Sequence, residues 1–380
     1  MRGLVYQIVL FLVIAFLVVA AVMNARANLQ RAGITSGTGF LSNTAGFDIS
    51  QALIPFSAAG STYGEAFIVG LLNTLLVAAI GVVFATILGF TIGVARLSGN
   101  WIVAKVAMIY VEVVRNVPLL LQLLFWYNAV LAPLPSPRES INVAGSFFLN
   151  NRGLFMPKPM FGGDIWILLA AFVAGLAGTV GFYVWARRQQ EQTGRQYPVG
   201  LTALALIVGL PVLVWIMLAL TIGNPISFEV PEQQRFNLRG GMQVLPEFVA
   251  LLVGLVTYTA AFIAEVVRAG ILAVSKGQTE AASSLGLRPG FTLRLVVIPQ
   301  AMRVIVPPLT SQYLNLTKNS SLAVAIGYPD LVQVFMGTVL NQTGQAVVVV
   351  VITMSVYLTI SLVTSFVMNI YNRRVAIVER

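Results

Sequence analysis

Eight stretches of this 380-residue chain lack charged side chains and consist mainly of apolar residues. Hydrophobic residues make up 58% of the chain and charged residues 9%, which is typical of a polytopic membrane protein and not of a soluble domain. Most stretches are long enough to cross about 30 Å of hydrocarbon at about 1.5 Å per residue. We therefore predict an all-α polytopic membrane protein with about eight transmembrane helices, at 4–23, 66–95, 103–132, 164–187, 198–222, 246–270, 298–316 and 346–371. Pro307-Pro308 is expected to interrupt the seventh helix, and Lys318 to close it.

The distribution of basic residues predicts the topology. If Arg2 is cytoplasmic, fourteen Lys and Arg residues fall in the inner loops and seven in the outer loops. This excess follows the positive-inside rule and places both termini, the loop 270–298 and the turn 187–195 in the cytoplasm. The segment 24–62 is then periplasmic, and we expect it to be irregular. The net charge of +10 thus encodes topology and does not indicate nucleic-acid binding.

Several functions are excluded by what the sequence lacks. Without Cys or His the chain has no disulfides, no thiol catalysis and no common zinc ligands, so we predict no metal site. No G-x-x-x-x-G-K-[ST] phosphate loop occurs, so an ATP-driven process would need a separate ATPase. Ala25-Arg26-Ala27 offers a signal-peptidase-like site, but the apolar run before it exceeds a normal signal-peptide core. A retained first span is favoured.

A polar, glycine-containing segment at 275–299 separates two apolar runs. Glu280-Ala281-Ala282 is followed by Gly286, and Pro299 comes thirteen residues after that glycine. Gly286 suits the left-handed position that ends a helix, and Pro289 suits the first position of the next one. We expect two short helices at an angle; an ordinary amphipathic cytoplasmic loop is the alternative.

Three further runs carry polar groups within predicted spans. Glu112-Val-Val-Arg-Asn-Val-Pro-Leu-Leu-Leu-Gln122 and Tyr258-Thr-Ala-Ala-Phe-Ile-Ala-Glu-Val-Val-Arg268 each contain an acidic and a basic residue at i, i+3, which can neutralise each other. Leu316-Thr-Lys-Asn-Ser-Ser-Leu322 places a lysine about 22 Å along the helix from Arg303. Buried charges in a membrane usually face the bundle interior.

Together the four runs resemble the permeases of bacterial ABC importers for polar amino acids. The family's E-A-A, three residues, G, nine residues, I-x-L-P loop is matched in spacing, with Val296 for Ile and Ile298 for Leu. Asn116-Val117 stands where the family commonly has Gly-Thr. The N-terminal extra span, an inserted hairpin and Phe47-Asp48-Ile49 are similar to the longer permease of the general L-amino acid importers of Gram-negative bacteria.

This resemblance implies a type I importer fold and a division of the chain into four parts. The parts are an N-terminal helix and periplasmic segment at 1–65, permease core at 66–132, inserted loops and hairpin at 133–245, and further core at 246–380. The last part contains the coupling loop 271–299. The core would have five helices, and the inserted hairpin at 164–222 has no function that the sequence assigns.

The resemblance also implies site residues. The ATPase-coupling candidates are Lys276, Gln278, Glu280, Ala281, Ala282, Gly286, Pro289 and Pro299. The substrate-binding candidates are Lys318, Asn319, Ser320, Ser321, Glu112, Arg115 and Gln122. An amino acid carboxylate would be held by Lys318 or the serine hydroxyls; alternatively, Lys318 is a structural lysine paired across a dimer interface. Glu112 and Arg115 have the same two possible roles, structural pairing or substrate contact.

The partners that the resemblance implies are a second permease subunit, two ABC ATPase subunits that bind ATP and Mg²⁺, a periplasmic binding protein and the amino acid. The chain itself would bind no cofactor, catalyse no reaction and lie in the inner membrane among lipids. It would import amino acids from periplasm to cytoplasm by alternating access. The alternatives are an ion-coupled secondary amino acid transporter, an ABC permease for another small polar solute, and a non-transport scaffold or channel subunit.

Overall fold

The computed structural model describes residues 2–31, 37–234 and 237–375, and it divides into two compact units. The first unit comprises the chain up to Pro133 and from Leu245 onward, and the second comprises Leu134–Val244. The helices of the described residues are α1 Arg2–Arg31, α2 Tyr63–Ala95, α3 Trp101–Asn116, α4 Leu119–Leu131, α5 Ile165–Thr193, α6 Val199–Thr221, α7 Pro246–Leu272, α8 Lys276–Ser284, α9 Pro289–Ile326, α10 332–343 and α11 Ala346–Val375.

The spans of the structure largely follow the apolar runs of the sequence, and the all-α polytopic fold class is confirmed. Within the described ranges, six helices are long and apolar enough to cross a membrane, and α3 with α4 makes a seventh if the bent pair counts as one span. In α1 the apolar stretch is shorter, at Val5–Ala21. The count of eight spans therefore stays a prediction.

Helices α2 and α7 pack closely in the first unit because α2 presents glycines to α7. A methyl group built on Gly89 would lie 2.6 Å from Cβ of Ile263, and one on Gly93 would lie 2.8 Å from the carbonyl oxygen of Ala264. Small residues are what allow two membrane helices to approach this closely. The N-terminus of α2 is fixed by a capping box between Thr62 and Glu65.

The predicted single helix 103–132 is wrong, because α3 and α4 are bent by 106° at a break. Pro118 disfavours a helical conformation at the residue before it, and Val117 is extended, with φ −97° and ψ 128°. The amide of Gln122 donates to the carbonyl oxygens of Val114 and Val117, both at 2.9 Å. The side chain thus satisfies carbonyls that the break leaves without helical partners.

The predicted interruption at Pro307-Pro308 does not occur, because α9 continues through both prolines. The two prolines lie on the exposed face of the helix, while Val306 and Leu309 beside them are buried. Tertiary packing therefore holds the helix together where two backbone donors are missing.

The second unit contains short antiparallel strands and the inserted hairpin. The strands are β1 Ile141–Val143, β2 Phe147–Asn150, β3 Gly153–Met156, β4 Lys158–Phe161, β5 Ile226–Glu229, β6 Glu232–Gln233, β7 Leu238–Arg239 and β8 Met242–Val244. They form sheets of order β1-β2-β3-β8, β4-β5 and β6-β7, which the sequence did not predict because each has at most four residues. Helix α5 continues to Thr193, so most of the predicted turn 187–195 is helical, and it ends at Gly194 in the left-handed region.

The outer segment before α2 is irregular only in part. Residues 24–31 belong to α1, contrary to the prediction, and residues 32–36 lie outside the described residues. Residues 37–62 are mostly irregular and contain one short 3₁₀ turn, Gly39–Ser42. The ring of Phe40 packs 6.3 Å from that of Phe335, so this segment is attached to α10.

Candidate functional site

The segment 276–292 contains one of the two expected short helices, α8, whereas the second is not short but is the first turn of the long helix α9. Helix α8 ends at Ser284, and Gly286 follows with φ +76°. The amide of Gly286 donates to Ser283 at 2.9 Å, and the amide of Leu287 donates to Ala282 at 3.1 Å. Pro289 then occupies the first turn of α9. The left-handed turn predicted at Gly286 and the helix start predicted at Pro289 are confirmed.

Most of this segment is exposed. Ala282 is buried at 4% exposure, and Gln278 accepts a hydrogen bond of 3.1 Å from the amide of Gln300 on α9. By contrast, Leu285 is 82% exposed and Phe291 54% exposed. An exposed apolar tip on an anchored turn is the geometry of a docking element for another protein.

The charged coupling candidates of the segment form no internal ion pair. Within the described ranges, Glu280 and Lys276 are not bonded to each other, although the i, i+4 spacing would permit it. Both side chains are exposed, and so is Ala281. Pro299 lies within the first turns of α9 and does not interrupt it. The charged groups of Lys276 and Glu280 are therefore accessible to a partner.

The pairing expected in α7 is confirmed, and it has an additional member. Arg268 donates to Glu265 at 2.5 Å, and Arg96 at the end of α2 forms an ion pair with the same carboxylate. Arg96 was not predicted as a partner because it lies 169 residues from Glu265. This triad links α2 to α7 at one end of both helices.

The pairing considered for Glu112 and Arg115 is not present in the described part of the chain. The guanidinium of Arg115 lies 5.0 Å from the centroid of the Phe262 ring on α7, a cation–π contact that competes with the carboxylate. Glu112 instead acts electrostatically on Arg268. Gln122 is occupied in bridging the break between α3 and α4.

A cavity of about 520 Å³ lies between the end of α9, α10 and α11. Two of the substrate candidates, Lys318 and Ser321, line it. Ser320 is fully buried and donates to the carbonyl oxygen of Thr317 at 2.8 Å, and Asn319 is not in the lining. Glu112, Arg115 and Gln122 do not line it either. The structure therefore brings two of the seven candidates together.

The opposite wall of this cavity comes from residues that the sequence analysis missed. Its polar members are Thr353, Tyr357 and Ser361 on α11, and its apolar members include Met336 and Met354. The i, i+4 spacing of Thr353, Tyr357 and Ser361 places them on one helix face. A polar face on an otherwise apolar helix is the sequence feature from which these residues could have been predicted. Lys318 has no ion pair within the ranges described.

A buried polar cluster adjoins the cavity and was also missed. Asp330 is fully buried and accepts hydrogen bonds from the backbone amide of Gln333 at 2.8 Å and from the Tyr357 hydroxyl at 3.3 Å. The amide of Asn73 donates to Pro329 at 2.8 Å, and the amide of Leu331 donates to the Thr74 hydroxyl at 3.0 Å. Asp330 lies between two spans, and burial raises its pKa to about 7. The cluster fixes the 327–331 turn against α2.

Comparison with known proteins identifies the class to which this fold and these motifs belong. Residues 194–377 match the family described as binding-protein-dependent transport system inner membrane component. The whole chain is 52% identical to a putative amino-acid ABC transporter permease protein, YhdX, of Escherichia coli, and covers 95% of it. The chain belongs to the family of amino-acid ABC transporter permeases and is a multi-pass protein of the inner membrane.

A second relative supports membership of that family, and one solved structure resembles the chain only distantly. It is 51% identical along its whole length to the general L-amino acid transport system permease protein AapQ of Rhizobium johnstonii, of which it covers 93%. A crystal structure described as an amino acid ABC transporter with histidines superposes with a TM-score of 0.49. That chain is 22% identical over 82% of this chain and 95% of its own length.

Proposed function

We propose that this chain is the permease subunit through which an ABC importer moves L-amino acids from the periplasm to the cytoplasm. The observation that carries this proposal is the exposed helix–turn–helix 276–292, held by the left-handed Gly286 and presenting Leu285. This exposed segment could dock in a groove on a separate ATPase. A full-length relative named for general L-amino acid transport supports a broad amino acid substrate class.

The energy for transport comes, in this proposal, from two ATPase subunits that bind ATP and Mg²⁺. The sequence has no phosphate loop with which to bind ATP, which supports assigning ATP hydrolysis to separate subunits. A second permease subunit completes the pore, and a periplasmic binding protein delivers the amino acid. Closure of the ATPases moves the two coupling loops together and changes which side of the membrane the pore faces.

The topology of this proposal has both termini and the coupling loop 271–299 in the cytoplasm. The excess of basic residues in alternate loops supports it. The four parts 1–65, 66–132, 133–245 and 246–380 then serve as N-terminal anchor, core, insertion and core. In this topology the end of α9 and the start of α11 face the periplasm, and the 520 Å³ cavity beside Lys318 is lined by residues from the end of α9 and the first half of α11.

The cavity of Lys318 is proposed as the amino acid site. An amino acid needs a cation for its carboxylate and hydroxyls for its ammonium group, and Lys318 with Ser321, Thr353 and Tyr357 offers these groups in one place. The methionines Met336 and Met354 provide adaptable walls for different side chains. The other role open to Lys318 is a structural contact with a second permease subunit.

Replacement of Lys318 separates these roles. Lys318→Met keeps most of the side-chain length and removes a charge-assisted contact of about 1.5–3 kcal/mol, which corresponds to a roughly tenfold to hundredfold weaker substrate interaction. In proteoliposomes with the ATPase and binding protein, we expect basal ATPase activity to persist and its stimulation by substrate to fall. Lys158→Met, an exposed lysine of β4, is the matched control and should leave stimulation unchanged. Unaltered stimulation in Lys318→Met would show that Lys318 is structural.

A further inference from the structure

A second cavity, of about 410 Å³, lies beside the start of α3, and the proposed import mechanism does not use it. It opens where α2 ends and α3 begins, next to the Arg96–Glu265–Arg268 triad. The lining residues are Arg96, Trp101, Ala104, Lys105, Met108 and Arg268.

This basic cavity has more positive than negative charge. Arg96 and Arg268 share one carboxylate, that of Glu265. Lys105 has no ion pair in residues 2–31, 37–234 and 237–375. Glu112, on the same helix as Lys105, is a further acidic residue, and its charge acts on Arg268. The N-terminus of α3, with its partial positive charge, also opens here. The cavity therefore favours an anion.

The surroundings of the basic cavity are apolar and exposed. Trp101 is 74% exposed at the rim, where an amphipathic ring suits the boundary between hydrocarbon and water. The neighbouring face of α3 exposes Ile102, Val106 and Ile109, at 64%, 62% and 50%. A cationic end is thus continuous with an apolar strip along one helix. A small inorganic anion would use only the cationic end, whereas an amphiphile would use both.

We propose that the basic cavity binds the phosphate headgroup of an anionic phospholipid whose acyl chains lie along Ile102, Val106 and Ile109. Arg96 and Arg268 present planar donors that match phosphate oxygens, and Lys105 adds a mobile cation at the entrance. Basic pockets between membrane helices are established binding places for such headgroups. The site requires only that the chain spans a membrane, so this proposal does not depend on which solute is transported.

Native mass spectrometry of the full-length, detergent-purified chain tests this proposal. Phosphatidylglycerol and phosphatidylcholine are titrated separately against wild type, Lys105→Gln and Arg188→Gln. We expect phosphatidylglycerol to bind Lys105→Gln about fivefold more weakly than wild type, the loss typical of one basic residue near an anionic lipid. Arg188→Gln removes a cation that is also exposed, on α5, and should bind as wild type does. Lys105→Arg should retain binding.

Four results would overturn the proposal. Equal binding of phosphatidylglycerol to wild type and Lys105→Gln would show that the basic cavity is not the site. An equal loss of phosphatidylglycerol binding in Arg188→Gln would show that binding depends on the overall charge of the chain and not on the basic cavity. Binding of phosphatidylcholine as tightly as phosphatidylglycerol would show that the site does not select an anionic headgroup. Displacement of the lipid by equimolar inorganic phosphate would make the site one for free phosphate. Because Lys105 is exposed, equal melting temperatures are expected and verify that the variants are folded.

Discussion

The turn at Gly286 allows the coupling role to be tested with a single methyl group. Gly286 has φ +76°, and a Cβ built there meets no atom within 4 Å in the described part of the chain. The cost of Gly286→Ala is therefore backbone strain alone, about 1–2 kcal/mol for an L-residue in the left-handed region. If this strain shifts the segment 276–292 out of its native turn, the competent population falls roughly fivefold to thirtyfold.

Gly290 is the matched control, four residues away in the same segment. A Cβ there also meets no atom within 4 Å, and its φ lies outside the left-handed range. Gly290→Ala should leave ATPase affinity unchanged, while Gly286→Ala should weaken it by about the same fivefold to thirtyfold. Gly286→Asn should lie between the two, since asparagine tolerates this conformation better than alanine.

The assay is the affinity of the detergent-purified permease for its ATPase partner, with substrate-stimulated ATPase activity and uptake as functional readouts. A Cβ at Gly286 or Gly290 meets no atom within 4 Å in the described residues, so the packing of the membrane-spanning helices should be unchanged, and yield and melting temperature should match wild type in all three variants. Equal ATPase affinities for Gly286→Ala and Gly290→Ala would refute the argument that the left-handed turn positions the docking element.

Two further predictions concern stability and topology. The folded state holds the Asp330 carboxyl protonated up to about pH 7, whereas the unfolded state ionises near the ordinary pKa of 3.8. The melting temperature should therefore fall as pH rises from about 4 to about 7, more steeply in wild type than in Asp330→Asn; identical slopes would contradict the burial argument. A membrane-impermeant thiol reagent should label Ser50→Cys in intact spheroplasts and leave Gln190→Cys unlabelled, a clean test because the chain has no cysteine. The reverse labelling pattern would invert the topology.

The coupling segment could be predicted from sequence because its determinants are local. A left-handed C-terminal position and a proline at a helix start depend on backbone rules that act over a few residues, and Gly286 and Pro289 satisfy them. The same holds for the i, i+3 pair Glu265–Arg268. Apolar run length likewise located most of the long helices.

Proline shows where local rules stop. Pro118 lies at a 106° bend, whereas Pro307 and Pro308 lie in a continuous helix. The outcome depends on the surrounding contacts: at the first site the Gln122 side chain satisfies the freed carbonyls, and at the second the buried residues on both sides hold the helix. Neither compensation can be inferred from the proline itself.

The site residues that could not be predicted from the sequence also depend on tertiary contacts. Arg96 reaches Glu265 across 169 residues, and Tyr357 reaches Asp330 across 27. Such pairs are brought together by helix packing and not by sequence spacing. Likewise, α11 forms one wall of the cavity of Lys318, and the substrate-binding candidates predicted from the sequence include no residue of α11.

The source of energy for uptake is the most direct test of the central claim. The permease, its permease and ATPase partners and the substrate-loaded binding protein would be reconstituted in proteoliposomes with no ion gradient, and labelled L-amino acid uptake measured. We predict uptake that requires ATP on the side of the coupling loop, persists in the presence of ionophores and is lost when ATP is replaced by a non-hydrolysable analogue. Uptake driven by a proton or sodium gradient without ATP would contradict the account and identify the chain as a secondary transporter.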